Sequence, residues 1–271
     1  MHVSLDSALG RQRRLNQVGE SITQIAPDPA AAYSLRSLTG GDPTVVRVRR
    51  DTDGGAGDND EQDFTASEVS SGALVDFVGS GNDGFVETWY DQSGNSKDAT
   101  QATAGSQPKI VDEGVLVTDS SGNPALVGDG TDDTLFNSTL TTELDNSDLL
   151  VTAAYKDDLD MGIDGGVPRF YLRSANFSYN ANNIINYTPQ TGRKILSFQV
   201  VGDTQEVFGN GTSLGTASEP QSNIDGNMFN VMRAGGAFSS GPLMEVLVYN
   251  SNQSATRTAI ESNINGHYSI F

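Results

Sequence analysis

From residue 125 to the end, short apolar runs are separated by clusters of Gly, Asn and Asp, and this rhythm restricts the chain to few folds. The runs 125–127, 149–155, 169–173, 195–201, 206–208, 228–232 and 244–249 each have the length of a strand. Strands that follow one another with turn signals between them build antiparallel layers. The expected fold is therefore mainly β, a β-sandwich or jelly roll. Only 254–264 departs from the pattern. Ile260 and Ile264 form an i, i+4 apolar pair behind Ser254, a residue suited to an N-cap, so a short C-terminal helix is expected.

The first half carries more local information. Val46 and Val48 alternate with Arg47 and Arg49, as in a strand with one buried face. An acidic, Gly-rich loop follows over 51–61. Ala73, Leu74, Phe77 and Val78 then fall at helical spacing, predicting a helix over 71–78. Val86, Thr88 and Tyr90 alternate with Glu87, Trp89 and Asp91 up to the turn Asp91-Gln92-Ser93-Gly94-Asn95. Its Asx and Ser side chains favour local hydrogen bonds to backbone, and Gly94 tolerates positive φ.

The segment Trp89-Tyr90-Asp91-Gln92-Ser93-Gly94-Asn95, continuing to Ala99-Thr100-Gln101, resembles one in the catalytic domain of fungal α-L-arabinofuranosidase B. Similar segments occur in concanavalin-like domains of bacteriophage virion proteins. The hairpin 198–211, with its Asn210-Gly211 turn, and the run 243–250 before the last helix resemble the hairpin and closing strand of laminin-G/concanavalin-like domains. The resemblance implies a concanavalin-like β-sandwich over 30–271. It also raises the question of chemistry. A retaining glycosidase needs two carboxyl groups about 5–5.5 Å apart. In arabinofuranosidase B the nucleophilic Glu lies in a Met-Glu-Asn-Asn context, which this chain lacks; Met244-Glu245 sits inside an alternating strand. The expectation from sequence is a fold motif without catalytic residues and a chain that is not an enzyme.

Composition excludes other functions. With no Cys there is neither a disulfide framework nor a thiolate metal site, and a nucleophile–His triad has little basis with His only at 2 and 267. The chain carries 16 Lys+Arg against 35 Asp+Glu, a net charge of -19. Such a surface repels nucleic acid and anionic membrane, and no apolar run approaches the roughly 20 residues that span a bilayer. The acidity suits solubility in a salty setting or scattered calcium sites. Asp129, Asp132 and Asp133, beside a predicted strand, are the calcium candidates; no cofactor is required by any motif. For glycan binding, Tyr179, Asn180, Asn182 and Asn183 combine an aromatic ring with amides in a polar stretch.

Residues 1–29 read as a separate arm before Pro27-Asp28-Pro29. Leu9, Leu15, Val18 and Ile22 give it apolar positions, and Arg11, Arg13 and Arg14 a basic cluster. The start has no basic-then-apolar pattern of a secretory signal. Together with the phage resemblance, this predicts a virion-surface protein made in the host cytoplasm. Its arm docks on capsid or tail proteins of the same particle, in many copies or as a homo-oligomer, and its sandwich displays a lectin-like face to host glycan. The alternative is a secreted glycoside hydrolase or lectin acting on arabinose-containing polysaccharide.

Overall fold

The computed structural model describes residues 21–51, 60–144, 148–164, 170–179, 183–220 and 228–271. The architecture is the expected one, mainly β with antiparallel pairing throughout and a C-terminal helix at Arg257–Tyr268.

Two layers enclose the main core. One runs through Ala31–Ser34, Pro242–Tyr249, Leu149–Lys156, Arg193–Val201, Thr204–Gly209 and Thr212–Ser218, paired in that order. The other runs through Glu61–Thr65, Thr44–Asp51, Asp83–Trp89, Ala99–Thr100, Leu135–Asn137, Met228–Val231, Asp160–Asp164 and Phe170–Arg173. The short strands Lys109–Asp112 and Leu126–Val127 tie the layers at one edge, since one pairs with Asp83–Trp89 and the other with Pro242–Tyr249.

The strand around Met244-Glu245 is expected to alternate, but it and the run at 149–155 are buried continuously because both faces of these strands are covered. Leu149, Val151, Ala153 and Tyr155 face the core between the layers. Leu150 and Ala154 join Met244, Leu247 and Tyr249 in a second cluster beneath the C-terminal helix, where Ile260, Ile264 and Tyr268 close it. A strand buried on both sides reads as a continuous hydrophobic run.

Three local expectations change. The helix expected over 71–78 is two helices, Ala66–Ser71 and Ala73–Val78, because Gly72 takes a left-handed conformation (φ 95°) between them. The first is started by a capping box, Thr65 with Glu68, that the sequence reading passed over. The alternation of 44–50 is interrupted by a register shift between Arg47 and Val48; Arg47 stays at the surface while Arg49 is buried. The last helix begins after Thr256, and Ser254 instead donates its Oγ to Asn252 Oδ1. The hairpin expected over 198–211 forms, Arg193–Val201 pairing with Thr204–Gly209, and Asn210-Gly211, both at positive φ, turn the chain into Thr212–Ser218.

Candidate functional site

The 89–95 motif is a clasp. Trp89 is fully buried, its ring 5.7 Å from that of Tyr33. Asp91 Oδ1 accepts from the backbone N–H groups of Ala32 and Ser93, both at 2.9 Å; its Oδ2 accepts from Ser93 Oγ at 2.6 Å and Lys97 N at 3.0 Å. Gln92 donates to the Ser34 and Arg36 carbonyls and accepts from Leu38 N at 2.8 Å. Asn95 donates to the carbonyls of Pro29 and Ala30. Gly94 turns the loop at φ 91°. The motif thus pins residues 29–38 across the sandwich, and both oxygens of Asp91 are used in doing so. It positions backbone and offers no free catalytic group.

A cleft of about 1120 Å³ opens where the layers are tied together. Phe85 contributes a ring to its floor; the Arg49 guanidinium lies 4.9 Å and the Lys109 ammonium 5.7 Å from the ring centre. Both cations are already engaged. Arg49 donates to Gln107 Oε1 at 2.8 Å and approaches Asp51 at 3.4 Å; Lys109 lies 2.8 Å from Asp83 and 2.7 Å from Asp112. Gln107 is held in turn by the Gln101 carbonyl.

The loop after Leu126–Val127 supplies the titratable groups. Gly128 lets it run close to the opposite segment, since a Cβ there would lie 2.4 Å from the Ser239 carbonyl oxygen. Asp129, Asp132 and Asp133 each place a carboxylate oxygen within 4.8 Å of the other two. Asp133 is 7% exposed, and its Oδ2 accepts from Asp129 N at 2.9 Å. Burial, reinforced by repulsion from Asp129 and Asp132, raises its pKa to about 6 against the opposing pull of Lys109. Asp129 is displaced the other way. The Thr131 N–H, with those of Asp132 and Asp133, holds its carboxyl below the usual range. A cleft with convergent polar groups and carboxylates of opposite displacement has the character of a binding or catalytic site. The sequence reading reached these three residues as calcium candidates. It missed Arg49, Phe85 and Lys109, which come from three strands whose edge only the tertiary pairing brings together.

A second polar cluster also escaped the sequence. Asp164 Oδ1 accepts from Tyr171 OH at 2.7 Å, and its Oδ2 lies near Asn230 Nδ2 and Arg233 Nε. Next to it Arg173 bridges Asp160 and the Ala234 carbonyl; burial lifts Asp160 to about 6. Asp160 and Asp164 are four residues apart along one strand, so they do not form a close carboxyl pair.

The other expected residues are dispersed. Tyr179 and Asn183 are opposite each other in the register of the hairpin Asn176–Tyr179 and Asn183–Asn186, while Asn180 and Asn182 lie outside the described residues. Leu9, Arg11, Arg13, Arg14, Leu15 and Val18 also lie outside them. Ile22 is buried in the cluster under the C-terminal helix, so its side chain serves its own domain rather than a partner. Glu245 is fully buried and held by Arg36 at 2.7 and 3.0 Å, a structural ion pair.

Neither a protein-family model nor a curated protein sequence matches the chain. Solved structures do. A GH54 α-L-arabinofuranosidase soaked with a cyclic sulfate inhibitor superposes with a TM-score of 0.67 at 14% identity, covering 91% of this chain and 65% of that one. An arabinofuranosidase complexed with arabinofuranosyl-α-1,2-xylobiose gives 0.63 at 14% identity, over 90% of this chain and 65% of the other. This chain thus spans just under two thirds of their length. At such identity the likeness establishes the fold, a β-sandwich related to the concanavalin-like class. It also overturns the expectation that the chain is not an enzyme: the structures it superposes on over nine tenths of its length are glycoside hydrolases. The virion-surface expectation draws no support from these neighbours.

Proposed function

We propose that the protein is a glycoside hydrolase acting on arabinofuranosyl-containing glycan, with Asp133 as general acid and Asp129 as nucleophile. The observation that carries this reading is the pair itself: two carboxyl groups within 4.8 Å in the main cleft, one raised to about 6 and the other lowered. The fold shared with arabinofuranosidases suggests the sugar, by analogy alone.

The chemistry follows from which oxygens are free. Asp133 Oδ2 is occupied by Asp129 N, so the proton sits on Oδ1 and passes to the glycosidic oxygen as the bond to the anomeric carbon breaks. Asp129 Oδ1 accepts from the N–H groups of Thr131 and Asp132, and in this scheme Oδ2 attacks that carbon. Water then releases the sugar, with Asp133 acting as base. Oxygens no more than 4.8 Å apart fit the closer spacing of double displacement with retention; an inverting enzyme needs roughly 6.5–9.5 Å to admit a water between the groups.

The crowding of three carboxylates favours a second reading, a calcium site at Asp129, Asp132 and Asp133. A divalent cation there would hold Asp133 ionised and remove the acid, so the two readings oppose each other. One experiment separates them. Release of nitrophenol from 4-nitrophenyl α-L-arabinofuranoside is followed across pH, in EDTA and in added Ca²⁺. Expected are turnover in EDTA, an alkaline limb near pH 6, inhibition by Ca²⁺, and a loss of at least about 10³-fold in Asp133→Asn. No turnover in either buffer, or an undiminished rate in Asp133→Asn, overturns the hydrolase assignment. Turnover that requires Ca²⁺ overturns the roles given to the pair.

A further inference from the structure

Val115 is 68% exposed, a rare state for a large apolar side chain here, and it stands at the mouth of the cleft. Its setting is rigid. The strands Lys109–Asp112 and Val115–Leu116 pair through Val111 with Leu116 and Asp112 with Val115, and Glu113 and Gly114 form the tip at positive φ. The tip is clipped to the neighbouring loop by three bonds. Glu113 N donates to Asp83 Oδ1 at 2.8 Å, Gly114 N to the Asn82 carbonyl at 2.7 Å, and Gly81 N to the Glu113 carbonyl at 3.3 Å. A Cβ on residue 114 would lie 2.8 Å from Gly81 N, so glycine permits this close contact. Val115 is therefore held in solvent by a fixed scaffold.

The charge around it is one-sided. Arg49 and Lys109, the cations of the lining, are paired with Asp51, Asp83 and Asp112. Glu113, Asp129 and Asp133 also line the cleft. With Asp133 ionised or not, the field facing a ligand is negative, and a concave wall of low dielectric strengthens it.

We propose that the 112–116 hairpin is a specificity lip that selects neutral glycans. Val115 packs on the apolar face of a sugar ring at the cleft mouth, and Glu113 with Asp112 turns away glycans that carry carboxylates or sulfates. This rests on the glycan reading above and adds the substrate class: neutral pentose or hexose chains, not uronates or sialosides.

The test measures binding rather than turnover. The full chain carrying Asp133→Asn, which prevents hydrolysis, is titrated by calorimetry with neutral arabinotriose and with trigalacturonate of the same length. At low salt the neutral trisaccharide binds at least about tenfold more tightly, and the gap narrows as salt screens the repulsion. Adding Glu113→Lys narrows the ratio at low salt by tightening the binding of trigalacturonate. Adding Val115→Ser weakens arabinotriose about fivefold or more and leaves the ratio in place. Equal binding of the two trisaccharides, binding of neither, or a ratio unmoved by Glu113→Lys overturns the lip. Selective binding by a protein whose wild type hydrolyses nothing removes the hydrolase reading and keeps the lip; hydrolysis without charge selectivity does the reverse.

Discussion

The loops at 91–98 and 129–133 are built from the same residue types, yet one is closed to chemistry and the other open to it. Both begin with an Asp that caps its own turn. In the first, Asp91 receives four donors from three other residues, one of them Ala32, far away in sequence. In the second, Asp129 is held by donors of its own loop, among them the N–H groups of Thr131 and Asp132, and faces two more carboxylates. An Asx turn becomes a clasp when its spare acceptors reach another strand. It becomes a titrating site when they meet like charge beside a cleft. Residue type alone does not separate the cases; the partner does.

The largest test of this contrast is on stability. Replacing Asp91 with Ala leaves the N–H groups of Ala32, Ser93 and Lys97 without acceptors at a point where two segments join. A loss of about 3 kcal/mol is expected from the urea midpoint at constant slope. Asp129→Ala should cost less than about 1 kcal/mol, since its donors are exposed and water replaces the lost acceptor. Similar losses at the two positions would erase the distinction between clasp and site.

The fold was legible because its signals are local or periodic. The strand runs at 149–155, 195–201 and 244–249, the Asn210-Gly211 turn and the Ile260–Ile264 pair all appear where the pattern put them. Short pairings such as Lys109–Asp112 and Asp160–Asp164 were not legible, because their residues become strand only through the neighbours that hold them. The site was half legible. Asp129, Asp132 and Asp133 lie within five residues, so sequence groups them. Phe85, Arg49 and Lys109 are gathered by strand pairing, and Arg49 is buried against Gln107 and Phe85, neighbours that alternation along its own strand does not reveal. The clasp was visible as a turn, but its reach to Ala32, Ser34 and Leu38 was not.

The next test concerns how Asp133 answers to pH. Its pKa rises on folding to about 6 from the usual carboxylate value near 4. The folded state therefore favours the protonated form. The group costs nothing below the unfolded pKa; the penalty grows between about pH 4 and 6 and is complete above that. Asp133→Asn keeps the shape and removes the ionisation. It should raise stability by about 1 kcal/mol at pH 7.5 and leave it unchanged at pH 4, the full displacement being discounted because one side of the group faces the open cleft. The gain comes with loss of the proposed acid, the exchange of stability for function that active sites show. A uniform effect across pH would mean that packing rather than charge sets the difference.

The smallest effect is the sharpest probe of the pair. Asp132 is exposed, accepts from Ser106 Oγ at 3.0 Å, and contributes repulsion that raises Asp133. Asp132→Asn keeps an acceptor for Ser106, so stability at pH 4 should move by less than about 0.5 kcal/mol. One negative charge near Asp133 disappears, and its ionised form becomes easier to reach. The midpoint of the pH-dependent stability loss should shift below 6, and the alkaline limb of any hydrolysis should shift with it. Because burial is the larger cause, the midpoint stays above the ordinary carboxylate range. Added salt should move the wild-type midpoint in the same direction, and move it less in the variant, where only the repulsion from Asp129 remains to be screened. A midpoint unmoved by Asp132→Asn would take Asp132 out of the set of competing charges and leave the displacement to burial and to Asp129 alone.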